Sequence, residues 1–192
     1  MSKTFALLMS ICLYGAVWAG EWHVDTGNKD NLVKFTSETL KLEFHGTTQK
    51  IDGYVYWEGE EMFLGNSQLQ MDVDLNSVET GIGKRDRDMR DRLATDKYPI
   101  TTYKGAIVSA EKIDSAVTAY RVISRGSISI RGVERELEVP ALITITDGVM
   151  NVEARFEVKL SDFNIEIPTL MFLKVNENIR LYVNFFLNEA AG

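Results

Sequence analysis

The sequence predicts an all-β protein, an antiparallel β-barrel or a sandwich, with one short helix. Three observations carry this reading. Apolar and polar residues alternate with period two in stretch after stretch, as in Leu69, Met71, Val73 and Leu75 against Gln70, Asp72, Asp74 and Asn76. Glycine, asparagine and aspartate punctuate those stretches at short intervals. A single charged run, Lys84 to Arg92, breaks the pattern and suits a helix. Many antiparallel strands with turns between them form a barrel or a sandwich. A closed sheet of about eight strands leaves an interior just wide enough for one small ligand.

Residues 1–19 read as a cleaved secretory leader and 20–192 as one domain. Lys3 supplies a positive start, Phe5 to Val17 is apolar, and Val17 and Ala19 suit a cleavage site after Ala19. The apolar run is short for a membrane span, and nothing later in the chain is long and apolar enough to be one. The only cysteine, Cys12, lies inside the leader. The mature chain would therefore carry no disulfide, thiol nucleophile or cysteine metal site. Ile11 before it is too bulky for a lipid-attachment signal. Removing Lys3 with the leader takes the formal charge from −7 to −8. That balance argues against nucleic acid, whose phosphates need clustered positive charge.

Along the domain, Trp22 to Asp25 and Leu32 to Thr36 read as strands. Leu40, Leu42 and Phe44 alternate with Lys41 and Glu43 as a third, with Gly46-Thr47-Thr48 as the turn after it. Ile51 to Trp57 puts Ile51, Val55 and Trp57 on one face, and Gly53 marks a bend. In the charged run, Asp86 to Arg90 and Asp88 to Arg92 are acid-to-base pairs at helical spacing. Ile82, Met89 and Leu93 form its apolar stripe, and Pro99 disfavours helix at Tyr98. Thr101 to Val108 is extended, and Glu111 to Ser115 reads as a hairpin loop. Ala119 to Ile130 is one strand with a kink at Gly126, Gly132 turns it, and Glu134 to Ile145 returns. Asp147-Gly148 is a strong hairpin signal. Val149 to Leu160 follows, then a loop around Pro168, then a last strand through Ile179, Leu181, Val183, Phe185 and Leu187.

Several motifs share an order and spacing. They are Trp22-x-Val24-Asp25, Ser77-x-x-Thr80-Gly81, Arg85-Asp86, Met89-Arg90 and Lys97-Tyr98-Pro99, then Gly126-x-Ile128-x-Ile130-x-Gly132-Val133 and Ser161-Asp162-Phe163-x-Ile165. Together they resemble the YceI-like family across about Glu21 to Asn188. The resemblance implies an extended lipocalin-like barrel with one helix, and export to the periplasm. In some members it implies a long polyisoprenoid or an isoprenoid quinone held in the barrel. The chain departs from the pattern at Asp88, where the family usually has histidine. The segment before Tyr98-Pro99 is also shorter and offers Leu93 in place of an aromatic pair.

The expected function is non-catalytic binding of a hydrophobic isoprenoid-type ligand in the cell envelope, periplasmic or secreted, with no cofactor. Strand parity and barrel logic nominate Phe35, Phe44, Trp57, Leu69, Met71 and Val73 as lining residues. From the later strands they nominate Ile128, Ile130, Phe156, Val158, Val183 and Phe185, with Met89 and Leu93 closing the mouth. A packed core needs the same residues as a tunnel, and only the resemblance tips the choice. Lys84, Arg85, Arg87, Arg90 and Arg92 either meet a polar headgroup, with Arg85 and Arg90 foremost, or form a solvated helix face. His23 and His45 are too few for a metal site, and no catalytic triad is legible. Two alternatives stand: an envelope protein with a filled core that binds a partner, or an accessory to a lipid or quinone enzyme. A homodimer is left open.

Overall fold

The computed structural model describes residues 19–114, 117–170 and 173–190. The expected leader lies outside them except for Ala19. In chain order come β1 (Ala19–Val24), β2 (Leu32–Glu38), β3 (Glu43–Thr48), β4 (Ile51–Glu58) and β5 (Gln68–Asp74). The helix α1 spans Gly83–Leu93. Then follow β6 (Ile100–Asp114), β7 (Thr118–Ile130), β8 (Val133–Thr146) and β9 (Val149–Lys159). The short β10 (Thr169–Leu170) and β11 (Leu173–Lys174) precede β12 (Asn178–Glu189). Consecutive strands from β4 to β9 pair as antiparallel neighbours, and β9 pairs with β12.

Closure falls to β12. Its free edge is shared by two strands: Leu187 lies opposite Val24 of β1, and Val183 opposite Val33 of β2. Outside these lie β4 and β3, with Val55 opposite Trp22 and Gly46 opposite Phe35. So β1 and β2 act as one interrupted strand, and β3 and β4 as another. The result is a closed antiparallel barrel of 8 strands. The excursion from Asp25 to Asn31 is stapled to β12 by Asn31, which is 1% exposed. Its Nδ2 donates to Asp25 O at 2.8 Å and its Oδ1 accepts from Phe186 N–H at 3.0 Å. A buried amide needs both bonds, because an unpaired polar group inside costs about 1–3 kcal/mol.

Turn chemistry sets the hairpins. Asp147-Gly148 takes φ of 51° and 77°, and Arg131-Gly132 takes 53° and 72°. Paired left-handed residues are the two-residue turn whose twist matches the flanking strands.

Three local expectations are corrected. Leu40 and Leu42 are not in a strand: the Thr39 hydroxyl accepts from Lys41 N–H (3.3 Å) and Leu42 N–H (3.0 Å), closing a turn. Leu40 is left 93% exposed. Gly46 is not a turn but sits within β3, where a Cβ would meet the Phe35 ring at 2.3 Å. Glu111 to Asp114 continue β6 rather than looping, with Glu111 3.3 Å from Arg121 across the ribbon. The helix ends before Tyr98-Pro99 as expected, at Leu93, where Ala94 takes φ 52° and caps it.

Gly105 and Gly126 face each other across β6 and β7. A Cβ on Gly126 would lie 2.0 Å from Lys104 O and 2.5 Å from the Gly105 Cα. Both are backbone atoms that cannot swing aside. Gly126→Ala should therefore lower stability by about 1–3 kcal/mol, the usual penalty of overpacking. Urea unfolding would show this as a lower midpoint, and an unchanged midpoint would refute the close approach.

Candidate ligand-binding site

Inward parity produces two adjoining spaces. The inner one, about 180 Å³, runs down the barrel axis. The outer one, about 540 Å³, lies under α1 at the mouth. Phe35, Leu75, Thr101 and Ile130 border both. The sequence-nominated Leu69, Met71, Val73, Ile128, Phe156, Val183 and Phe185 border the inner space. Phe44, Met89, Leu93 and Val158 border the outer one.

Trp57 is placed differently. It shares the inward parity of Val55, but it lies a layer deeper, packed on Phe63 with ring centroids 4.8 Å apart. It borders neither space. Ile107, Val122, Ile143 and Val152 form the deepest walls of the inner space and belong with the nominated set. Parity could have found them, since Val122 is in phase with Ile128 and Val152 with Phe156.

The three polar side chains on the inner wall turn their polar atoms into the sheet. Tyr103 Oη lies 3.1 Å from Ser124 Oγ and donates to Leu137 O at 3.3 Å. Ser124 Oγ donates to Val139 O at 3.3 Å, and Thr101 Oγ1 to Ser129 O at 2.8 Å. Burial, opposed in part by the Ser124 hydrogen bond, raises the Tyr103 phenol, so it stays neutral. What faces the bore is hydrocarbon.

The lid is fastened by its charges. Asp86 is 8% exposed and accepts from the Thr80 hydroxyl and, at 2.9 Å, from Thr80 N–H. The Thr80 hydroxyl above all holds its carboxyl below the ordinary range against the opposing effect of burial. The Thr80 backbone and the charges of Arg90 and Arg85 assist. Three arginines reach backbone carbonyls: Arg85 to Thr80 (2.7 Å), Arg90 to Asn76 (3.2 Å) and Arg92 to Glu166 (3.4 Å). The expected pairs of Asp86 with Arg90 and Asp88 with Arg92 give way to these tertiary contacts. Arg85 borders the outer space, its guanidinium 4.9 Å over the Phe44 ring, and Lys84, Asp88 and Arg92 border it too. Arg90 does not; its charge is committed to Asn76. His23 bonds to Glu21 on the surface, and among the described residues no cluster of three or more potential metal ligands forms.

The YceI-like domain family matches residues 22–187. No curated protein matches the chain. Among solved structures, the Burkholderia cenocepacia protein BcnA is similar with a TM-score of 0.67 at 18% identity, over 85% of this chain and 98% of its own. A polyisoprenoid binding domain from Saccharophagus degradans, implicated in plant cell wall breakdown, is similar with a TM-score of 0.67 at 17% identity, over 88% and 98%. A Campylobacter jejuni YCEI protein gives 0.59 at 20%, over 76% and 85%. At such identities the likeness speaks for the fold alone.

Asp86→Ala should unfasten the start of the lid and cost about 1–3 kcal/mol at neutral pH, leaving the Thr80 N–H unpaired. The sign of the pH effect follows from the lowered carboxyl. Its contribution is whole above the ordinary aspartate value of about 3.9 and is lost as pH falls through the folded-state value. The gap between wild type and variant in urea unfolding should therefore narrow below about pH 4. A gap constant down to strong acid would remove Asp86 from this role.

Proposed function

The chain belongs to the YceI-like domain family, and from that membership we propose that it is a non-catalytic carrier for one isoprenoid-type ligand, a polyprenyl lipid or an isoprenoid quinone, in the cell envelope. The observation that carries the reading is the pair of adjoining spaces, the outer one under α1 and the inner one with a wall that offers hydrocarbon. A long chain laid along it leaves water, worth about 0.8 kcal/mol per buried methylene. Arg85, with Lys84 and Arg92 beside it on the same space, offers positive charge to a polar head. The binding described for the Saccharophagus degradans domain supports the ligand class. Two open spaces speak against the filled-core alternative. Among the described residues no helix is long and apolar enough to cross a membrane. Export rests on the pattern of residues 1–19, and the family match begins after them at Trp22.

Native mass spectrometry of the mature protein, followed by organic extraction, is the direct test. A co-purifying lipid of one mass class is the expected outcome. A clean apo mass, with no uptake of added quinone or polyprenol, overturns the carrier reading. Met71→Arg should abolish uptake while the fold persists by circular dichroism, because an unpaired charge in that wall cannot be buried cheaply. Undiminished uptake by the folded variant would take β5 out of the binding wall.

A further inference from the structure

The loop from Gly59 to Ser67 joins β4 to β5 at the end of the barrel opposite α1. Its Phe63 is 0% exposed and takes φ 69°. A bulky side chain in the left-handed region is uncommon and is kept only where the surroundings enforce it. Here they do. Gly59, Gly65 and Asn66 also take positive φ, of 133°, 67° and 29°. Glu58 clasps the loop, accepting from Tyr56 Oη and, at 2.9 Å, from Asn66 Nδ2. The backbone is bent so that the ring points up the barrel axis into the strand core.

The ring lands where the hollow stops. It packs on Trp57 at 4.8 Å and edge-on to Tyr120 at 5.3 Å. Val55, Ile107, Val122 and Ile143 still border the inner space. Two residues further toward this end, Trp57 on β4 and Tyr120 on β7 do not, nor do Met150 and Leu187, which are both 0% exposed. The bore is therefore blind, and its floor is formed by Trp57, Tyr120, Met150 and Leu187 from the wall, with Phe63 packed against the two aromatics from the loop.

We propose that Phe63 is the specificity-determining stop of this site: it sets the longest isoprenoid chain that the barrel accepts whole. The inference rests on the carrier reading. A chain entering under α1 advances until its terminal unit meets Trp57 and Tyr120, which Phe63 holds in place. Chains below the limit bind with a gain for each added unit, and longer ones must leave their excess outside in water. Without the ring, Trp57 and Tyr120 lose their support and the floor drops.

The test is uptake of a ladder of linear isoprenoid alcohols of rising length, offered in competition and read by native mass spectrometry. Wild type and Phe63→Gly are compared; glycine removes the ring and suits φ 69°. Wild type should show a preferred length with a sharp fall beyond it. Phe63→Gly should move that fall upward by at least one isoprene unit. Should Phe63→Gly not fold, Phe63→Leu keeps an apolar plug and should give a smaller shift of the same sign. A wild type that binds the ladder while the folded variant keeps the same limit overturns the stop alone. A wild type that takes up no alcohol of any length overturns the carrier reading, and the stop with it.

Discussion

The barrel depends on one strand having partners along both edges. β12 meets β9 from Asn178 to Asn188, and on its other side it meets β2 and then β1. Closure removes the exposed edge that would otherwise invite pairing with another chain. It also sets the width of the bore, because strand number and stagger fix a barrel's diameter. Once that width is set, side chains alone decide which levels are hollow. Gly105 and Gly126 let β6 and β7 approach closely at the middle level. Trp57, Met150 and Leu187 fill the lowest one. Tunnel and packed core, which looked like alternatives for the whole barrel, occupy different heights of one interior.

A hollow interior is tolerable only if its walls ask nothing of water. The polar groups that parity turns inward satisfy this locally, with Tyr103, Ser124 and Thr101 finding acceptors within the sheet. Nothing in the inner wall then needs a polar partner from a ligand. Discrimination inside must rest on girth and length, since hydrocarbon presents no hydrogen-bond pattern to read. Chemical recognition is left to the mouth, where Lys84, Arg85, Asp88 and Arg92 gather around the wider space.

Alternation in the sequence reveals which face of a strand turns inward, and it served well for Leu69, Met71 and Val73 or for Ile128 and Ile130. Alternation carries no record of depth. Trp57 has the parity of a lining residue and lies in the floor, because height along the barrel comes from register with strands far away in sequence. Phe63 escaped notice for a different reason: it sits in a loop, and its φ of 69° is a tertiary outcome. The glycines at 59 and 65 that bracket it were the only trace. The helix charges show the same limit. Spacing suggested pairs within α1, whereas Arg90 and Arg92 reach Asn76 and Glu166, partners that only folding brings near. At Leu40 and Leu42 the alternation was real but local, and the Thr39 side chain made it a turn.

The lid is not fastened equally along its length. Its first turn is held by Asp86, buried and doubly bonded to Thr80, with Arg85 returning a bond to the Thr80 carbonyl. Its last turn is held by Leu93 packed against the core, by Arg90 on the Asn76 carbonyl, and by Arg92 against Glu166, 3.5 Å apart, with the glutamate side chain 91% exposed. An exposed pair of that kind contributes about 0–1 kcal/mol and weakens with salt. Hydrogen bonds to a buried charge are worth more, about 1.5–3 kcal/mol. Local opening follows the weakest contacts, and the exposed Arg92–Glu166 pair is the weakest of these. On the carrier reading, a bore closed at its floor loads and releases its ligand at the α1 end, where the outer space lies.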